Sequence, residues 1–145
     1  MYRNLFAAAL FVAAFAGCSP SYQDRLELKP IPAKGKISLK GKPLPHAIVT
    51  FHPVEKLGTP SSGDLVRTPF GVAKEDGSFE LTTLKPADGA PEGEYAVTIS
   101  WTGGPIRSDN DAAPERLPPQ YQNPVASGIR VQVRAGQELP EIRLN

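Results

Sequence analysis

The sequence predicts an all-β protein folded as a single β-sandwich, and three observations carry that expectation. Apolar and polar residues alternate over short stretches, most clearly in "EYAVTISW" at residues 94–101, the period-two pattern of a strand with one buried face. Turn chemistry such as Asp76-Gly77 separates these stretches. The 145 residues include 13 Gly and 16 Pro, above average usage but below the level of a low-complexity disordered chain. That balance favours many short strands joined by many turns.

Two segments are expected to precede the sandwich. Residues 1–17 open with Met1, Tyr2 and Arg3, continue through an uncharged apolar stretch at residues 5–15, and narrow to Ala16 and Gly17 before the only cysteine, Cys18. This is the layout of a secretory signal peptide. Eleven apolar residues at about 1.5 Å each make roughly 16 Å of helix, well short of a roughly 30 Å hydrocarbon core, so a permanent span is not expected. Residues 18–34 then read as a flexible tether, with three prolines, scattered charges and no apolar periodicity. Extended at about 3.3 Å per residue, such a segment reaches roughly 50 Å. Residues 35–145 remain for one domain of about 110 residues, near the commonest domain size.

Within that domain about seven strands are expected. Ile37 and Leu39 alternate with polar residues ahead of the turn "KGKPLP". Ala47, Val49 and Phe51 then share one face of a strand running to Pro53, with His46, Ile48, Thr50 and His52 on the other. Residues 54–70 read as an irregular insert. "GVAKEDGSFEL" forms a hairpin, because Asp-Gly tolerates the positive φ angles of a tight turn, and Phe79 and Leu81 point inward together. After the loop "KPADGAPEG", Tyr95, Val97, Ile99 and Trp101 mark the strongest strand in the chain. A long polar, proline-rich stretch at residues 102–127 excludes a helix. Ile129, Val131 and Val133, a turn at Gly136, and Ile142 with Leu144 close the domain. Strands at this spacing, with turn chemistry between them, make a sandwich.

Two resemblances add to this reading. "FAGC", residues 15–18, resembles the lipobox of bacterial lipoproteins, with Phe15 where that family more often has leucine. The resemblance implies that the Cys18 sulfur takes a diacylglyceryl group, that the signal peptide is cut off before it, and that the new amino terminus is acylated. Each buried methylene contributes about 0.8 kcal/mol, so three chains would anchor firmly. It also implies a place in the bacterial cell envelope, held to a membrane and facing the periplasm or the cell exterior. Ser19 resembles the sorting position of outer-membrane lipoproteins more than that of inner-membrane ones.

"GKISLKGKPLPHAIVTFHPV", "KEDGSFELTT" and "PEGEYAVTI", in this order, resemble the carboxypeptidase regulatory-like domain. The resemblance covers nearly all of residues 34–145 and implies a transthyretin-like (prealbumin-like), Ig-like Greek-key sandwich. It rests on strand and turn chemistry, so it implies fold and location rather than an activity.

Candidate chemistry is sparse. His46 and His52 are the only histidines, and six residues of extended strand hold them about 20 Å apart, too far to share a metal ion. "SDND", at residues 108–111, offers oxygen ligands but lacks the glycine and distal glutamate of an EF-hand loop. No G-x-S-x-G elbow, P-loop, G-x-G-x-x-G or S-x-x-K motif occurs, and the ending "EIRLN" departs from the "Y-R-G-S" of the hydroxyisourate hydrolases that share the transthyretin-like fold. No catalytic residue, metal or cofactor is therefore expected. The formal charge is +1, and loss of Arg3 with the signal peptide leaves a neutral mature chain, which gives no electrostatic footprint for nucleic acid.

Trp101 and Tyr121 flank the long loop and are the candidate ligand contacts, as aromatic rings at a sandwich end can stack on a sugar or a peptide. The function expected is that of a non-enzymatic, lipid-anchored envelope protein, an accessory or protein-interaction module with an envelope protein as partner. The alternatives are a carbohydrate-binding module taking a glycan, or a small hydrolase using the 102–127 loop.

Overall fold

The structure, a computed structural model, describes residues 29–57, 67–105 and 113–145. The expected signal peptide, Cys18 and most of the expected tether lie outside the described residues, as do "SDND" and residues 58–66 of the insert. The regular secondary structure of the described residues is mostly strand, with no α-helix. No helix among them is long and apolar enough to cross a membrane.

Eight strand segments are present: β1 (Lys34–Leu39), β2 (Lys42–Pro43), β3 (Ile48–Pro53), β4 (Phe70–Val72), β5 (Ser78–Glu80), β6 (Gly93–Ser100), β7 (Arg130–Val133) and β8 (Ile142–Leu144). The one beyond the expected seven is β2. It lies inside the "KGKPLP" turn and, at two residues, is too short to show alternation. Short 3-10 turns cover Val54–Lys56 and Pro119–Gln122.

The strands form two four-stranded sheets. In the first, β1 is central. Its odd residues bond one way: Leu81 N–H donates to the Ala33 carbonyl, Ile37 N–H to that of Gly77, and Leu44 N–H to that of Ile37. Its even residues bond the other way, with Leu139 N–H donating to Lys34 and Lys40 N–H to Leu144. The antiparallel β2 and β5 therefore lie end to end along one edge of β1, and the parallel β8 lies along the other. The second sheet runs β4-β3-β6-β7, antiparallel throughout. Backbone pairing reaches back to Ile31, which bridges Ala90.

The β4–β5 hairpin carries the chain from the second sheet to the first. Its turn is closed by Gly77 N–H bonding to the Lys74 carbonyl and Lys74 N–H to that of Ser78. Only Gly77 of the Asp-Gly pair takes a positive φ, of 76°. Asp76 instead accepts from the Ser78 N–H at 3.0 Å and from the Ser78 hydroxyl at 2.6 Å. The β1–β2 connection is the two-residue turn in which both central residues, Lys40 and Gly41, have positive φ, the geometry that matches the twist of paired strands.

The core lies between the sheets. Val49 and Phe51 of β3, Val97 and Ile99 of β6, Val131 and Val133 of β7, and Ile37, Phe79 and Leu81 opposite them are buried, each on the face that alternation assigns inward. Phe51 sits at the centre, its ring centroid 6.3 Å from that of Phe79 and 5.8 Å from that of Tyr95 in tilted arrangements. Phe79 lies against two glycines. A Cβ on Gly35 would stand 2.7 Å from its ring, and one on Gly71 would stand 3.2 Å from it. Inner positions of β1 and β4 are bare so that one large ring can fill the space above both. The apolar residues of β4 that face outward are Phe70 and Val72, 44% and 48% exposed: at its inward place, Gly71, a Cβ would also stand 2.9 Å from the Glu80 carbonyl oxygen.

Tyr95 is buried with its hydroxyl donating to the Pro91 carbonyl at 2.8 Å. Burial, helped by the nearby Glu55 charge, pushes its pKa up to about 12. Tyr95→Phe leaves that carbonyl without its donor, and equilibrium urea unfolding should show a loss of about 1 kcal/mol.

Candidate functional site

Side chains with functional chemistry converge where β6 runs out and the long loop returns. Strand alternation turns Ser100 outward and Trp101 toward the core. The returning segment then lays Glu115, Arg116 and Leu117 against this strand end. Leu117 is buried in the core, and Arg116 N–H donates to the Trp101 carbonyl at 2.9 Å.

Glu115 holds the junction. One oxygen accepts from the Trp101 N–H at 2.8 Å and from the Arg116 and Leu117 N–H groups at 3.1 Å each. The other accepts from the Ser100 hydroxyl at 2.6 Å. Burial alone would push this carboxyl up, but the hydrogen bonds from Ser100, Trp101, Leu117 and Arg116 outweigh it and hold the pKa below its ordinary value. A depressed folded pKa fixes the sign of the linkage. The carboxylate's contribution to stability is complete above about pH 5 and is lost as pH falls through the ordinary carboxylate range toward the folded value. Glu115→Gln replaces a twofold acceptor by an amide that cannot satisfy all four donors. Urea unfolding at pH 7 should show a loss of about 1–2 kcal/mol, with the deficit shrinking toward pH 3.

Trp101 is half-buried. Its indole N–H donates to the Pro45 carbonyl at 2.9 Å, and the Arg116 guanidinium carbon lies over its ring, 6.0 Å from the centroid. The ring's polar edge is thus engaged within the fold. Tyr121, in the Pro119–Gln122 turn, packs partly buried against the same core. Among the described residues no ring contact joins Tyr121 to Trp101, so the structure places both candidate contacts on the loop's two arms without bringing them together. Sequence reasoning missed Glu115 and Arg116. A carboxylate and a cation within a proline-rich polar loop carry no periodicity, and their partner, the end of β6, is fourteen residues away in the chain.

The histidines are apart. His52, on the outer face of β3, bonds the Thr98 hydroxyl at 2.9 Å, and its burial lowers its pKa. His46 lies in the turn before β3 with a positive φ of 62°, its Nε2 3.1 Å from a Glu75 oxygen. Among the described residues no group of three or more His, Cys, Asp or Glu is placed to hold a metal ion. A shallow groove on the outer face of the first sheet sets Lys34, Lys36 and Lys74 beside Glu80, Glu138 and Glu141. The opposite charges there face each other, with Lys34 Nζ 2.6 Å from Glu80.

Comparison of the chain with protein-family models, with curated proteins and with solved structures yields no match.

Proposed function

We propose that this chain is a non-enzymatic lipoprotein of the bacterial envelope, anchored through Cys18, whose sandwich serves as an accessory or protein-interaction module. The observation that carries this reading is the order of residues 1–18: a positive start, an uncharged apolar run, small residues and then the only cysteine. The proline-bearing tether supports it, as it allows the domain to stand clear of a membrane surface. The engaged polar groups also support it. Glu115, Asp88, Tyr95 and the Trp101 indole all bind backbone groups of the fold, so these groups are taken up in holding the sandwich together.

The sandwich is, in this reading, a carboxypeptidase regulatory-like domain of the prealbumin-like Greek-key kind. The succession of β1, the Lys40–Gly41 turn, β3, the Asp76-Gly77 hairpin and β6 follows the order that the motifs of that domain imply. Fold alone is a weak guide to activity, so the role is tested in cells. In-cell crosslinking with mass spectrometry should recover the same envelope proteins reproducibly from the wild type. A Cys18→Ser variant should leave the membrane fraction and lose those crosslinks. A variant that stays in the membrane fraction, or a wild type without reproducible envelope partners, contradicts the proposal.

A further inference from the structure

We infer that Arg116 and Trp101 form a carboxylate-binding site at the end of the sandwich where β6 runs out. The Arg116 backbone is fixed on both sides, by the Glu115 carboxylate and by the buried Leu117. Its guanidinium lies over the Trp101 ring and directly against Gly103, where a Cβ would stand 2.6 Å from the guanidinium carbon. Gly103 has a positive φ of 86°, and its missing side chain leaves the space that the cation occupies. The indole cannot swing away, because its N–H is tied to Pro45.

Among the described residues the cation is oriented without being taken up by an acceptor. Arg130 donates to the Pro124 and Ile129 carbonyls and Arg143 to Glu141, whereas the Arg116 side chain donates to no acceptor among the described residues. A guanidinium presents parallel N–H pairs that match the two oxygens of a carboxylate, and stacking on an aromatic face leaves those edges open. The ordering cost that a mobile arginine incurs on binding is already met here. The ligand is thus a carboxylate bearer, with an acidic sugar and an acidic peptide side chain as the two sources of the same chemistry. The inference does not rest on the membrane anchor.

The chain has one tryptophan, so its emission reports on this site alone. The full chain, kept in neutral detergent, is titrated with sodium glucuronate, with N-acetylglutamate and with uncharged glucose, by fluorescence and by calorimetry. At least one carboxylate should saturate the protein, more weakly as salt is added, while glucose gives no response. Glucuronate alone assigns the acidic sugar, and N-acetylglutamate alone the acidic peptide. Arg116→Ala should abolish the binding, and Arg116→Lys, which keeps the charge but loses the fork, should weaken it at least about tenfold. Calorimetry keeps the Arg116→Ala result readable even where the indole signal changes. The site is refuted when neither carboxylate saturates the wild type, or when Arg116→Ala titrates as the wild type does.

Discussion

Gly89→Ala should destabilise the domain by more than about 3 kcal/mol, lowering Tm by more than about 10 °C for a domain of this size. The methyl group has no place to go. A Cβ on Gly89 would stand 1.7 Å from the Ile31 carbonyl oxygen, far inside van der Waals contact, and the residue's φ of +94° is strained for any side chain. The backbone cannot yield without breaking several bonds at once. Gly89 N–H is bonded to the Leu81 carbonyl, and Ile31 and Ala90 exchange hydrogen bonds in both directions. Asp88, next to it, accepts from the N–H groups of Thr83, Leu84 and Lys85. Its carboxyl, which burial alone would raise, is held below the ordinary value by those bonds. Gly104→Ala is the internal control: a Cβ there meets nothing within 4 Å, and its effect should stay within about 0.5 kcal/mol. Thermal unfolding of the two variants side by side checks both values. Similar Tm values for the two would mean that the segment at Ile31 is not packed on Gly89.

The second large effect is expected at Phe79. Phe79→Ala removes a side chain that is 1% exposed and whose ring packs over Gly35 and Gly71. The two glycines beneath the ring carry no side chain to refill the space, so the loss should fall at about 3–5 kcal/mol, the range for large aromatic truncations. Phe79→Leu retains most of the volume and should cost distinctly less. Equilibrium urea unfolding with an unchanged m value would attribute the difference to the folded core. Equal losses for Ala and Leu would instead point to the ring's tilted contact with Phe51 as the larger contribution.

The parts of the fold legible in the sequence are those set by alternation and turn chemistry. Val49 and Phe51 in β3, and Tyr95, Val97 and Ile99 in β6, are long enough runs for period two to assign their inward faces. Gly77 could be placed in its hairpin because only the turn needs a positive φ there. The strand β4 was legible only as the first arm of the Asp76-Gly77 hairpin, with Phe70 left in the insert: it buries Gly71 and exposes Phe70 and Val72, so hydrophobicity points the wrong way. What reverses it is the next strand, whose Glu80 carbonyl oxygen and Phe79 ring would stand 2.9 Å and 3.2 Å from a Cβ on Gly71. The candidate site was half legible in the same sense. Trp101 stood out as an aromatic at a strand end, but the residues that fix and cover it, Glu115 and Arg116, reach it only through the return of the loop. Non-local pairing of that kind leaves no periodic trace along the chain.

The central claim is that the sandwich is held to a membrane by acyl chains on Cys18, and intact mass spectrometry of the protein extracted from its native membrane tests it most directly. The mass predicted is that of a chain beginning at Cys18 and heavier by the acyl groups. An unprocessed chain, or a processed one without added mass, would contradict the anchor and make Cys18 an ordinary thiol.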